Sequence, residues 1–163
     1  MANITRLIKN IIPYPDDREH RDGFSNEAII AGLSGQERKQ VESLLIGMLS
    51  KRPDDLLIVT TLGYLKSHKA VPILNKLLNE TKFLPGKVII ACSLYEISKD
   101  DALIDMALET TAPLKKWWDL IDLFYYLAKL KNKKSDDFVR SYFNHEEYLV
   151  SYNAKRAMGE IKS

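Results

Sequence analysis

A short apolar pattern returns about every 32 residues along the chain, and this recurrence constrains the fold more than any other feature. The pattern is an apolar residue, a small or aromatic residue, any residue, and a second apolar residue. Four clear copies begin at Leu62, Leu94, Leu127 and Met158, spaced 32, 33 and 31 residues apart, and a fainter copy begins at Ile30. Such a period is typical of a helical hairpin that cannot bury its own apolar face and must stack on its neighbours.

The segments between these copies predict a second set of helices. Residues 34–37 read SGQE, which predicts a capping box. In this motif the serine side chain accepts from the glutamate amide, and the glutamate side chain accepts from the serine amide. Pro53 and Pro85 suit the first turn of a helix, where a proline loses no hydrogen bond, and Ser135 is predicted to cap the last helix of this set. We predict the second helices over residues 35–51, 69–80, 101–110 and 135–144.

Small residues inside the recurring pattern are predicted to control helix spacing. Gly63 and Gly159 occupy its second position in two copies. A residue without a side chain lets two helices approach closely, so we expect both glycines to lie where the two helices of one hairpin meet.

The N-terminal region is organised differently. From Ile4 onward, apolar residues follow the spacing i, i+3, i+4, i+7 and i+8, which indicates one apolar helix stripe, and Pro13 ends it. Residues 13–25 are rich in proline and charge, and are predicted to be a loop that is either solvated or in contact with a partner. We therefore expect a single domain with a capping helix over 1–12, a loop over 13–25 and repeats over 26–163.

One predicted hairpin carries a resemblance to a known family. Residues 55–65 read DLLIVTTLGYL and residues 69–78 read KAVPILNKLL. This is similar to a HEAT repeat, whose first helix ends Leu-Gly-x-Leu and whose second helix opens Ala-Val-Pro-x-Leu. The resemblance implies an all-α fold: a right-handed α-solenoid of about five HEAT-like helical hairpins with an N-terminal capping helix.

Composition and charge exclude several other classes. The seven glycines and six prolines are fewer than a β sandwich or barrel of 163 residues would need. The 24 Lys and Arg against 22 Asp and Glu leave a net charge of +2, without the basic excess of a dedicated nucleic-acid binder. No stretch approaches the roughly 20 apolar residues of a membrane span, and the first residues do not resemble a secretory leader. We expect a cytoplasmic protein without a membrane partner.

Residue types that carry catalysis or bind metals are sparse. Cys92 lies in the apolar run VIIAC and is predicted to be a buried core thiol. His20, His68 and His145 have no second ligand at a metal-binding spacing. Phosphate-loop and nucleophile-elbow motifs are absent from the sequence. We expect no catalytic residue, no metal and no cofactor, and favour a binding protein over an enzyme.

Both tryptophans of the chain lie in one segment, residues 115–122, which reads KKWWDLID. Trp118 and Asp122 are four residues apart and share a helix face. The segment resembles the Trp-x-x-x-Asp element of the DNA alkylation-repair glycosylases, which are built of HEAT-like repeats. That resemblance implies that Trp118 packs beside a damaged nucleotide and that Asp122 stabilises the developing sugar cation.

Two other interpretations of this segment stay open. In the first, which we favour from sequence alone, Trp118, Ile121 and Tyr125 form the core face of a long helix. In the second, Trp117, Trp118, Asp119 and Asp122 contribute to a protein-binding surface, because tryptophan and tyrosine are enriched at binding hot spots.

The second helices offer another candidate surface, since they line the concave face in HEAT proteins. The middle of this row is expected to be negative, because residues 84–112 contain two lysines against five acids. A negative surface suits a basic protein partner. The outward residues that we select as partner-binding candidates are Glu42, Asn75, Asn79, Asp105, Glu109 and Arg140.

The favoured functional hypothesis is a non-enzymatic protein–protein interaction module. Short stand-alone HEAT chains resemble some bacterial immunity proteins, which implies a cognate toxin, with a basic domain, as the partner that is bound and neutralised. One alternative is a nucleic-acid-binding or alkylation-repair-like protein that uses Trp118 and Asp122, although nucleic acid is the less favoured partner. Another is an adaptor subunit of a larger assembly, and a homodimer is left open.

Overall fold

The computed structural model describes residues 2–13 and 24–161, in which ten α-helices and one short 3-10 turn are joined by brief connections. This described part contains no β-strand, so the predicted all-α class is confirmed. The 3-10 turn, His68–Ala70, precedes α5. The helices are α1 (Ala2–Ile11), α2 (Glu27–Ala31), α3 (Gly35–Lys51), α4 (Leu56–Tyr64), α5 (Val71–Glu80), α6 (Leu84–Ser98), α7 (Asp101–Thr111), α8 (Trp117–Lys129), α9 (Lys133–Arg140) and α10 (Tyr148–Ala157).

The predicted N-terminal helix is α1, and its apolar stripe packs against α3. Ile11 and Ile12 are buried at its end. The side-chain amide of Asn26 donates to the Ile11 carbonyl at 2.9 Å and to Thr61 Oγ1 at 2.7 Å, so it ties α1 to α4. Most of the predicted loop, residues 14–23, lies outside the described residues.

Local capping signals were predicted with mixed success. The capping box is confirmed: Ser34 Oγ accepts from the Glu37 amide at 3.3 Å, and the Glu37 carboxylate accepts from the Ser34 amide at 2.9 Å. The prediction that Pro53 opens the next helix is wrong, because Pro53 lies in a turn before α4. The Ser135 cap is also wrong. Asn132 accepts from the Lys134 amide at 2.9 Å and starts α9 earlier, which leaves Ser135 buried inside the helix.

Helices α2, α4, α6, α8 and α10 pack one against the next, and we call them the first helices. The second helices α5 and α7 pack on α6, and α9 packs on α7 and α8. Helix α6 lies at the centre and is buried around most of its circumference, from Val88 to Tyr95. None of the helices in the described residues is both long and apolar enough to cross a membrane.

Gly63 is the point of closest approach between two first helices. A Cβ atom at Gly63 would lie 3.1 Å from the Ser93 Cβ and 3.3 Å from the Ser93 carbonyl oxygen. Its small size therefore lets α4 approach α6, and the expectation that it acts within one hairpin is wrong. A Cβ atom at Gly159 would have no other atom within 4 Å, and this glycine instead ends α10 with a φ of +76°.

A residue in the left-handed backbone conformation follows each of four first helices. Lys66, Lys99 and Lys131 have φ values of 53°, 57° and 50°, and Gly159 takes the corresponding place after α10. After α4, the Ser67 amide donates to the Leu62 carbonyl at 3.1 Å, which satisfies a carbonyl left free by the helix end. A left-handed conformation costs a residue other than glycine about 1–2 kcal/mol, so three helix ends carry strain that glycine would relieve.

Candidate functional site

The tryptophan pair lies on the surface. Trp117 is 38% exposed and Trp118 is 50% exposed, and their rings meet edge to face with centroids 5.4 Å apart. The core interpretation of Trp118 is therefore wrong, and Tyr125, assigned to the same face, is 40% exposed. Asp119, Asp122 and Lys129 share one face of α8, and Trp118 and Tyr125 lie beside them on that face rather than on the buried stripe. That stripe consists of Leu120, Leu123, Phe124 and Leu127.

Exposed large apolar side chains concentrate on α8 and α10, which pack together. The Tyr125 hydroxyl donates to Asn153 Oδ1 at 2.9 Å, and the Tyr148 and Tyr152 rings stack with centroids 5.8 Å apart. We call this region the aromatic surface. Its members are Trp117, Trp118, Tyr125, Tyr148 and Leu149.

Carboxylates accompany these apolar side chains at the beginnings of both helices. Asp119 and Asp122 lie on α8, and the exposed Glu146 and Glu147 precede α10. Partial burial raises the pKa of Asp122, and repulsion from Asp119 raises it further. A cation placed at Asp122 would relieve both effects, so this part of the surface is electrostatically suited to a positively charged ligand.

A cleft of about 510 Å³ opens beside Asp122, between α4, α6, α8 and the segment that precedes α2. Leu57 and Ile89 contribute apolar walls. We call it the tyrosine cleft, and its polar lining includes Asn26, Tyr64, Asp122, Tyr125, Tyr126 and Lys129.

The hydroxyls of Tyr125 and Tyr126 in this cleft stay protonated at neutral pH. Burial, reinforced by Tyr64 and Asp122, raises the pKa of Tyr126 to about 12. Burial also raises the pKa of Tyr125, against the opposing effect of Arg156. The cleft therefore presents the neutral rings of Tyr125 and Tyr126 beside the Asp122 carboxylate.

Lys129 closes one side of the cleft. Its ammonium contacts the Glu27 carboxylate and donates to the Tyr64 hydroxyl at 3.1 Å. Burial disfavours its charge, but the bonds to Glu27 and Tyr64 prevail and raise the pKa of Lys129. This cation is thus held by partners from α2 and α4.

A second depression, of about 520 Å³, lies on the other side of Lys129. We call it the basic groove. Lys99 is paired with Glu96 at 3.1 Å, whereas Arg38, Lys66 and Lys131 have no acidic partner in the described part of the chain. Its charged lining consists of Glu27, Arg38, Lys66, Glu96, Lys99, Lys129 and Lys131.

The candidate residues of the second helices are dispersed, and several are occupied by neighbours. Glu42 accepts from Ser67 Oγ at 2.7 Å and pairs with Lys69 at 3.2 Å. Asp105 pairs with Lys134 at 2.7 Å.

Arg140 pairs with Glu160 at 3.0 Å. Asn75, Asn79 and Glu109 are exposed. Among the described residues, no hydrogen bond or ion pair joins this row of candidates to the tryptophan pair.

Groups with potential for covalent or metal chemistry occupy structural positions. Cys92 is buried as predicted, and burial, with a contribution from Glu96, raises its thiol pKa to about 12. His68 is exposed as the first residue of the 3-10 turn, and His145 Nδ1 accepts from the Glu147 amide at 3.1 Å. His20 lies outside the described residues. Residues 2–13 and 24–161 contain no group of three potential metal-ligating side chains.

No family model matches the chain, and comparisons with curated proteins and with solved structures find no match either.

Sequence reasoning selected Asp122 but missed the rest of the cleft. Tyr125, Tyr126 and Lys129 follow Asp122 by three, four and seven residues, a helical spacing that was available as a signal. Tyr64 and Asn26 come from distant parts of the chain, and no local pattern connects them with α8.

Proposed function

We propose that the chain is a non-enzymatic binding protein, and that the aromatic surface is its contact with another protein. The exposure of Trp117 and Trp118 on α8 and of Tyr148 on α10, two helices that pack together, carries this proposal. Concentrated apolar surface of this kind marks interaction sites. Tryptophan and tyrosine are the residues most often found as hot spots in protein interfaces.

We also propose that the helices form a right-handed α-solenoid of about five HEAT-like hairpins. The successive packing of the first helices supports this arrangement. The left-handed residues Lys66, Lys99, Lys131 and Gly159, spaced 33, 32 and 28 residues apart, provide further support because they end successive first helices in the same way. In such a stack, the aromatic surface belongs to the C-terminal units.

The charges of the surface suggest the chemistry of the partner. Asp119 and Asp122 lie in the first half of α8, and Glu146 and Glu147 precede α10, so four carboxylates stand against Lys115 and Lys116 before α8. Complementary charge steers association and selects among partners. A basic protein domain fits this pattern, and a toxin neutralised in the cytoplasm by an immunity protein is the case that we favour.

The proposal is tested by capture followed by reconstitution. A tagged chain should recover one dominant protein, in equal molar amount, from cells that encode it. The purified pair should then bind with wild-type chain and lose affinity with Trp118→Ala. Co-expression with the product of the adjacent reading frame should rescue growth if that product is the toxin. Failure of the purified pair to bind would overturn the proposal.

A nucleic-acid function is the second candidate, because Trp118 is exposed one helical turn from a carboxylate that lines a cleft. The neighbouring carboxylates oppose it, since a nucleic-acid site must attract phosphates. This alternative predicts DNA binding that weakens with salt and base release that Asp122→Asn abolishes. Absence of DNA binding at low salt would eliminate it.

A further inference from the structure

We propose that the tyrosine cleft receives an arginine side chain of the protein partner. This inference rests on the proposed function, because it assigns a specific contact beside the aromatic surface. The cleft supplies three tyrosines, Tyr64, Tyr125 and Tyr126, together with the Asp122 carboxylate. These groups match the two properties of a guanidinium, which is planar and positively charged.

The charge balance of the cleft favours a cation. Its charged lining consists of Glu27, Asp122 and Lys129. Glu27 and Lys129 are paired with each other, so their charges largely cancel. Asp122 has no ion pair in the described part of the chain, so a cation that enters beside it meets an unpaired carboxylate, although the charge of Arg156 also acts at Tyr125.

Asn26 is a buried polar residue in the wall of the cleft. Its amide nitrogen is committed to the Ile11 carbonyl and to Thr61, which fixes the orientation of the side chain. Its Oδ1 is buried and has no hydrogen-bond donor among the described residues. A buried acceptor without a donor is rare in folded proteins, and its partial negative charge reinforces the preference of the cleft for a donor-rich group.

The aromatic lining distinguishes arginine from lysine. Guanidinium groups stack on aromatic faces more often than ammonium groups do, and they bind carboxylates through two parallel hydrogen bonds. Asp122 lines the cleft together with Tyr125 and Tyr126, so its carboxylate and the aromatic rings can contact one ligand. Arginine provides both interactions at once, so it is the side chain that this lining fits best.

The test compares two short peptides, acetyl-Gly-Arg-Gly-amide and the same peptide with citrulline in place of arginine. Citrulline keeps the shape of arginine and removes its charge. We expect the arginine peptide to shift the Tyr125 and Tyr126 ring resonances of the full chain in a saturable titration. The citrulline peptide should bind at least about tenfold more weakly, since losing a charged hydrogen bond costs about 1.5–3 kcal/mol.

Two variants locate the site. Asp122→Asn should weaken arginine-peptide binding at least about tenfold for the same reason. Glu80→Gln removes an exposed carboxylate at the end of α5 that does not line the cleft, and should change binding less than about threefold, as expected of a screened surface charge. Equal binding of both peptides, no titration by either, or equal losses in the two variants would overturn the inference.

The inference and the proposed function fail in different ways. If the purified partner binds wild-type chain, loses affinity with Trp118→Ala and keeps it with Asp122→Asn, the arginine contact is wrong and the binding function stands. If the arginine peptide binds through Asp122 but no protein partner can be reconstituted, the cleft assignment stands and the proposed function fails.

Discussion

The hydroxyl of Tyr125 on α8 donates to Asn153 Oδ1 on α10 at 2.9 Å, and this bond links the two helices that carry the aromatic surface. The Asn153 amide nitrogen in turn donates to the Leu149 carbonyl within α10 at 2.8 Å. Tyr125 also lines the tyrosine cleft. The relative position of the aromatic surface and the cleft thus depends on one polar contact and on the packing beneath it.

Replacing Tyr125 with phenylalanine should measure how much its hydrogen bond to Asn153 contributes to stability. Loss of the hydroxyl is expected to lower the free energy of unfolding by about 0.5–1.5 kcal/mol, as measured by urea denaturation. Tyr148→Phe is the matched control, because the Tyr148 side chain stacks on Tyr152 and its hydroxyl makes no hydrogen bond with the described residues. An equal effect of both variants would contradict the structural role of the Tyr125 hydroxyl.

Two glycines should respond to alanine in opposite directions. Gly63→Ala forces a Cβ against Ser93 backbone atoms at 3.2 and 3.3 Å, and should lower the free energy of unfolding by about 1–2 kcal/mol. Gly47, on the exposed side of α3, has no atom within 4 Å of an added Cβ. Gly47→Ala should therefore raise the free energy of unfolding by about 0.5–1 kcal/mol through helix propensity. A higher free energy of unfolding in Gly63→Ala would contradict the close approach of α4 and α6.

The left-handed lysines should tolerate glycine unusually well. Lys66→Gly and Lys131→Gly are each expected to raise the free energy of unfolding by about 0.5–1 kcal/mol, because strain relief exceeds the entropic cost of glycine. Lys99→Gly should raise the free energy of unfolding by less, since it also removes the contacts of Lys99 with Glu96 and with the Tyr95 ring. Thermal or urea unfolding would show the ranking. A loss of stability at both Lys66 and Lys131 would argue against the left-handed ends.

Cys92 provides a prediction about pH. Burial raises its folded pKa from 9.0 to about 12, so the unfolded state releases the proton first. Its contribution to the free energy of unfolding is intact below about pH 9 and declines as pH rises from about 9 to 12. At pH 8, a thiol reagent should modify the denatured chain rapidly and the native chain only at the rate at which it opens. Rapid native modification would contradict the burial of Cys92.

Local chemistry explains which structural features were predictable. The Ser34 and Glu37 side chains satisfy amides within the same turn, so the start of α3 was visible in four residues. Lys66 and Lys131 adopt a left-handed conformation that lysine rarely takes. The conformational preference of lysine therefore could not predict these helix ends.

The surface was harder to predict because Trp118 and Tyr125 are large apolar residues that lie on the charged face of α8. Packing against α6, α9 and α10 decides that Leu123 and Phe124 are buried, whereas Trp118 is exposed. The tyrosine cleft depends on the same long-range packing, since it exists only when α4, α6 and α8 are brought together.

The most direct test of the binding surface is the affinity of the purified partner for two exposed variants. Trp118→Ala should weaken binding at least about 30-fold, corresponding to the roughly 2 kcal/mol of an interface hot spot, with an unchanged urea midpoint. Asn75→Ala, an exposed change on α5, should leave affinity unchanged. Unaltered affinity in Trp118→Ala, or a comparable loss in Asn75→Ala, would contradict the assignment of the aromatic surface as the site of partner binding.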